Sequence, residues 1–241
     1  GKQRVVLLGG GLIGCEVAND WGGAGYQVAI VDIAAHPLGR LIPADIGLAV
    51  KDALAAVGIE WHLGVSASTV DNIGDQLRIT LSDGSQLYAD TVLSAIGLRP
   101  RTQLALAAGL AVNRGIVVDR TLATSAADVY ALGDCVEIEG LVLPFVMPLM
   151  HGARALAKTL FGIATPASYP AMPVVVKTPS CPLVVAPPPA QAAGQWESTV
   201  TDNDVRAVFR APDGQVLGFV LTGTAVADKQ ALAKALPATL R

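Results

Sequence analysis

The chain has 241 residues, 52 % hydrophobic and 15 % charged, with a formal net charge of -3 and a pI near 5.6. That length suffices for more than one domain with a buried core, and the faintly acidic balance excludes an electrostatic footprint for nucleic acid. Mean hydropathy is high at +0.50, yet Asp20, Asp32, Asp45 and Lys51 interrupt the apolar runs before any reaches the roughly 18 residues of a membrane span.

Arg4 to Leu8 is a short apolar run ending in three glycines, which predicts a buried strand entering a tight turn. Leu12 to Trp21 follows as a helix stopped by Gly22, Gly23 and Gly25, and Gln27 to Val31 as a second buried strand. Leu41 to Val57 has the pattern of an amphipathic helix closed by Gly58, ahead of a third strand at Ile59 to His62. This alternation predicts parallel βαβ units with right-handed crossovers. From about Val70 the texture changes, and Leu77 to Leu81 and Gln86 to Tyr88 flank an Asp83-Gly84 turn as an antiparallel hairpin. Thr91 to Ile96 predicts another buried strand, stopped by Gly97 and Pro100. Strands are then expected near Ile116 to Val118 and at Val129 to Leu132, followed by a helix from Met147 to Leu160. A Pro/Ala/Ser-rich connector, Thr165 to Pro173, precedes strands at 174–177, 183–186, 205–210 and 216–221 and a closing helix at 227–236. Buried parallel strands, or a face normally covered by something else, account for the excess hydropathy.

Gly9, Gly11 and Gly14 spell G-x-G-x-x-G between the first strand and the first helix. The first glycine permits the turn, the second lets backbone approach a pyrophosphate, and the third lets helix pack on strand. The N–H groups around Leu12 and Ile13 then face the phosphates. Asp32 stands 18 residues beyond Gly14, at the end of the second strand. A carboxylate there accepts both ribose hydroxyls and repels a 2′-phosphate, which points to NADH. A second candidate is Thr124-Ser125-Ala126-Ala127-Asp128-Val129-Tyr130-Ala131-Leu132-Gly133-Asp134, read as a buried strand ending in Gly-Asp. Its carboxylate suits sugar-like hydroxyls, or it simply forms a turn. Cys15, Cys135 and Cys181 are widely separated with no C-x-x-C pair, which fits a reducing cytoplasm and no disulfide framework. His36, His62 and His151 share no spacing, so no metal site is expected.

Together, G-G-G-x-I-G-x-E, S-A-I-G-x-R-P and T-x-x-x-x-V-Y-A-x-G-D resemble the two-dinucleotide-binding-domain flavoprotein reductases. Within that group, Ala95-Ile96-Gly97-Leu98-Arg99-Pro100-Arg101-Thr102, Val146-Met147-Pro148-Leu149-Met150 and Val176-Lys177-Thr178-Pro179 are most similar to the bacterial rubredoxin–NAD reductases. The resemblance spans essentially the whole chain. It implies an α/β fold: a Rossmann-like NADH-binding domain over 1–99, part of an FAD-binding domain over 100–163, and a small α+β C-terminal domain over 164–241.

It also implies roles for single residues. Gly133 and Asp134 would hold the FAD ribityl chain, the helix start at Met147 and Pro148 would face the flavin pyrimidine, and Gly97 would pass close to the bound cofactors. Glu16 would lie near the nicotinamide; as a first-turn acid it would otherwise complement the helix dipole. Lys177 would place positive charge near the reduced flavin, or stand as an exposed strand lysine. The implied activity passes electrons from NADH through FAD to a small acidic iron protein, rubredoxin favoured, with no membrane or nucleic-acid partner. A [2Fe–2S] ferredoxin or a nitrite reductase subunit is the alternative acceptor, and a non-catalytic NADH-binding redox sensor the alternative class. The family pattern has another G-x-G-x-x-G for FAD well before the NADH motif. Only eight residues precede Gly9, so the chain is expected to be a fragment.

Overall fold

The glycine-punctuated opening folds as an alternating layer. In the computed structural model, which describes residues 3–202 and 204–241, β1 (Arg4–Leu8), α1 (Leu12–Gly23), β2 (Gln27–Asp32), α2 (Ala44–Ala55) and β3 (Ile59–Leu63) form the expected βαβ run. It is followed by β4 (Ala67–Ile73), β5 (Gln76–Leu81), β6 (Gln86–Ala89) and β7 (Thr91–Ser94). The parallel sheet has the order β3-β2-β1-β7, with Leu7 opposite both Ile30 and Leu93. Strand alternation divides its side chains between two faces. Val5, Leu7, Val28 and Ile30 pack with Cys15 and Ala18 of α1 and with Ile46, Val50 and Leu54 of α2. Val6, Ala29 and Val31 pack instead on Ile79, Leu81 and Ala89 of the antiparallel β4-β5-β6 sheet.

Two expectations need correcting here. The second helix is shorter than Leu41 to Val57, because Pro43 takes the N-cap position and Leu38 to Ile42 form a separate turn. The hairpin is one part of a three-stranded sheet, since β4 adds an edge strand whose exposed residues hid the alternation.

Next come α3 (Gln103–Ala107), β8 (Ile116–Val118), β9 (Val136–Ile138) and α4 (Val146–Leu160). The strand expected at Val129 to Leu132 does not form. That segment folds back on Leu122 to Thr124, with the Thr124 N–H donating to Val129 O at 2.8 Å and the Ala131 N–H to Leu122 O at 3.1 Å. β8 pairs in parallel with β9, beyond the Gly-Asp turn.

The remaining elements are β10 (Val174–Val176), β11 (Leu183–Ala186), β12 (Gln195–Thr201), β13 (Asp204–Arg210), β14 (Val216–Thr222), a 3-10 turn over Gly223–Asp228 and α5 (Lys229–Ala235). The strands form an antiparallel sheet ordered β10-β11-β14-β13-β12. One face, through Val176, Leu183, Val185, Ala207 and Val220, joins the core that contains α1 and α2. The other, through Val184, Val208, Phe219 and Leu221, packs on Leu232 of α5.

By compactness the chain divides into a unit of Gly1–Gly97 with Pro173–Leu236 and a unit of Leu98–Met172 with Pro237–Arg241. The first holds the parallel sheet and the C-terminal sheet because their apolar faces share a core. The second has its own core of Val118, Leu122, Val136, Ile138, Ala155, Ala167, Tyr169 and Leu240.

Candidate functional site

The glycine turn between β1 and α1 is built by exclusion of side chains. Gly9 has φ +109°, and a Cβ there would lie 2.5 Å from Ala95 O. A Cβ at Gly14 would overlap the Gly9 carbonyl, so the third glycine lets α1 close on the strand. Around Gly11 a Cβ would meet nothing within 4 Å. Two glycines thus serve internal packing and one faces open space, the division of labour a pyrophosphate turn requires. Gly11 is the N-cap of α1 and no side chain caps it among the described residues, so the helix opens with its first-turn N–H groups, at Leu12 and Ile13, outside the helix's own hydrogen-bond ladder.

Asp32 ends β2 with both carboxylate oxygens oriented. Oδ1 accepts the Ala34 N–H at 2.7 Å, and Oδ2 accepts the Gly10 N–H. A Cβ at Gly10 would come within 3.3 Å of both Asp32 Oδ2 and the Trp61 ring. A side chain at the middle glycine of Gly9-Gly10-Gly11 would therefore press on the acid and the indole, which would have to give by a few tenths of an ångström. A third consecutive glycine was the visible signal in the sequence.

Glu16 and Lys177 are brought together. Glu16 lies beyond the first turn of α1, half-buried, and its Oε1 accepts the Lys177 backbone N–H at 2.9 Å. The reading of a solvent-facing first-turn acid does not hold. One helical turn on, the buried Asn19 accepts the Ser180 N–H at 3.1 Å, a contact for which the sequence carried no signal. The loop after β10 is thus hydrogen-bonded to the helix that starts at the glycine turn. The Lys177 side chain is exposed. Gly97 has φ +103° and open space where a Cβ would be.

In the second unit, Gly133 has φ +96° and Asp134 is exposed, and no hydrogen bond or ion pair among the described residues holds its carboxylate. Gly133 and Pro148 line a shallow apolar hollow with Leu122, Leu132, Leu149 and Tyr169. Met147 is 49 % exposed at the uncapped start of α4. These residues offer a glycine turn, an acid and a helix N-terminus, which suit part of a nucleotide. A second G-x-G-x-x-G is not among the 241 residues. The glycine turn with its second-strand acid is therefore present once in these residues.

All three cysteines are free. Burial pushes the Cys15 thiol up to about 12, helped by the neighbouring Asp32 and Glu16 carboxylates, and burial also raises Cys181. Neither is suited to thiolate chemistry. No cluster of metal-ligating side chains occurs among the described residues, and no helix there is long and apolar enough to cross a membrane.

Residues 1–157 match the family model for pyridine nucleotide-disulphide oxidoreductases, and residues 166–236 match that of a rubredoxin binding C-terminal domain. A rubredoxin-NAD(+) reductase of Alcanivorax borkumensis is 52 % identical over all of this chain and 63 % of its own length. One of Acinetobacter baylyi is 47 % identical over 95 % of this chain and 59 % of its own. The chain thus spans about three fifths of the curated relatives it matches. Among solved structures, a ferredoxin reductase of Rhodopseudomonas palustris superposes with a TM-score of 0.84 at 28 % identity, covering 95 % of this chain and 58 % of that one. Putidaredoxin reductase, in its covalent complex with putidaredoxin, gives 0.85 at 26 %, covering 98 % and 59 %. With the strand–glycine turn–helix geometry in place and the family model covering well over half of the sequence, the chain belongs to the pyridine nucleotide-disulphide oxidoreductases.

Proposed function

We propose that this chain carries the NADH-binding and acceptor-facing parts of an FAD-dependent reductase that passes electrons from NADH to rubredoxin or a similar small acidic iron protein. The observation that carries the nucleotide half is the side-chain-free turn at Gly9–Gly14 facing an Asp32 carboxylate already oriented by two backbone N–H groups. Bound NADH would supply a hydride, and bound FAD would supply the chemistry that converts a hydride's electron pair into single electrons.

The chain's own residues position these groups. Gly11, Leu12 and Ile13 receive the pyrophosphate, and Asp32 accepts the ribose hydroxyls. Glu16 and Lys177 border the nicotinamide end, and Gly97 lets backbone pass close to it. Gly133 and Asp134 take the ribityl chain, while Met147 and Pro148 present the α4 N-terminus to the pyrimidine. The match of 166–236 to a rubredoxin binding domain supports the acceptor. These modules run over 1–99, 100–163 and 164–241, and the three free thiols suit the cytoplasm.

The test uses the full-length protein. It is expected to be yellow, to bleach with NADH, and to reduce rubredoxin at a rate that falls with salt and falls again in Lys177→Glu. A colourless protein would favour a redox sensor, and bleaching without rubredoxin reduction would move the acceptor to a ferredoxin. That second reading is favoured by the likeness to the Rhodopseudomonas palustris ferredoxin reductase.

A further inference from the structure

Both peptide units that flank Gly10 are held. Its N–H donates to Asp32 Oδ2, while its carbonyl accepts the Leu38 N–H at 2.9 Å and the Cys15 thiol at 3.4 Å. Leu38, which donates that N–H, has φ +55°, a left-handed backbone that non-glycine residues avoid, although Gly39 stands next to it. The same residue is 3 % exposed, and its carbonyl accepts the N–H groups of Leu41 at 2.7 Å and Ile42 at 3.2 Å. Strained backbone persists only where surrounding structure over-determines it, and it gathers at ligand-holding sites.

We infer that Leu38 and Cys15 are positioning residues that fix the Gly10–Gly11 peptide so that the Gly11 N–H of the glycine turn points at a dinucleotide pyrophosphate. This rests on the proposed NADH site and adds two residues outside its motif. With the Gly9–Gly10 peptide held through the Gly10 N–H and the Gly10–Gly11 peptide through the Gly10 carbonyl, the Gly11 N–H, trans to that carbonyl in the same plane, is fixed in direction. Preorganisation of this kind lowers the ordering cost of binding. Cys15 serves as a donor only while protonated. Its burial, which pushes the thiol up to about 12, keeps it so across the physiological range.

The experiment separates clamping from packing with paired variants of the 241-residue chain, titrated with NADH by calorimetry, with melting temperature as the control. Leu38→Gly deletes a buried side chain but keeps the N–H and favours the left-handed backbone. Leu38→Val keeps most of the apolar bulk but resists that backbone. The clamp predicts opposite rankings. Leu38→Gly lowers the melting temperature more, whereas Leu38→Val weakens NADH more, about tenfold against at most threefold.

Cys15→Ala is expected to raise Kd several-fold, and Cys15→Ser, which keeps a donor, to stay within about twofold. This pair decides the matter if a Leu38 variant fails to fold. Wild-type binding with equal Kd in Leu38→Val and Cys15→Ala would overturn the clamp alone. Affinity that merely tracks melting temperature would also overturn it. A wild type that binds no NADH would overturn the site itself and the clamp with it.

Discussion

The Gly9–Gly14 turn with Asp32 and the Gly133-Asp134 turn each put a carboxylate beside a glycine, yet they are held very differently. Asp32 sits on a central strand of a four-stranded parallel sheet, and both its oxygens are engaged by backbone. Asp134 stands between a segment with a single bridge, Tyr130 to Ala123, and a strand in a two-stranded sheet. Its carboxylate has no hydrogen bond among the described residues. In the same unit Val117, Val129, Val146 and Met150 expose between 38 % and 68 % of their surface. A glycine and an acid make a preorganised site only where neighbouring strands fix the backbone that presents them. Sequence motif and site geometry are therefore separate achievements.

The largest effect should separate the two glycines. Gly14→Ala forces a Cβ into the Gly9 carbonyl and is expected to weaken NADH at least 100-fold, about 2.7 kcal/mol. Gly133→Ala would place its Cβ an ordinary 3.7 Å from Leu149, leaving only the strain of φ +96°, about 1–2 kcal/mol of stability. Calorimetry and thermal melts measure both, and equal losses would erase the contrast. The acids come next. Asp32→Ala should narrow the NADH-over-NADPH preference of the full-length protein by roughly one to two decades in kcat/KM. Asp134→Ala should shift the stability of this chain by no more than about 0.5 kcal/mol. A wild type that uses both nucleotides equally would remove Asp32 from the specificity role.

A third test locates a well-held acid in the second unit. Glu137 is 5 % exposed, and its carboxylate accepts the Gly115 N–H at 3.0 Å and Asn113 Nδ2 at 2.9 Å. These bonds, the Gly115 N–H foremost, hold its carboxyl below the usual range. A lowered folded-state value means that this stabilisation is complete above the unfolded value, about 4.3, and fades as pH falls through the folded one. Glu137→Gln should thus cost about 1–3 kcal/mol at pH 7, with the gap to wild type closing in acid. A gap that widens on acidification would contradict the assignment.

The smallest effect concerns the thiols. Cys15 has no exposed surface and is raised to about 12, so it should resist an aromatic disulfide reagent at pH 8 until the chain unfolds, while Cys135 reacts in the folded state. Labelling of Cys15 at the rate of Cys135 would mean that the glycine-turn helix opens freely.

Much of the nucleotide half follows from local sequence. The short continuous apolar runs, the three glycines and the acid closing the second strand each act over a few residues, so βαβ order, turn and carboxylate were all legible. Elements whose stability comes from remote partners were not. Val129 to Leu132 has a strand's composition, but composition does not supply a neighbour, and the segment turned back on Leu122 to Thr124. Thr69, Val70, Asn72 and Ile73 carry no alternation, and β5 alone makes them a strand. Glu16 was visible as an acid in the motif, but its partner lies 161 residues away. Asn19, Ser180 and the left-handed Leu38 gave no signal at all. The sequence by itself determined which chemistry the first turn can perform, because backbone freedom and charge reside in single residues. Tertiary structure decided how firmly that turn is held, because hydrogen bonds between distant segments exist only once the core brings them together.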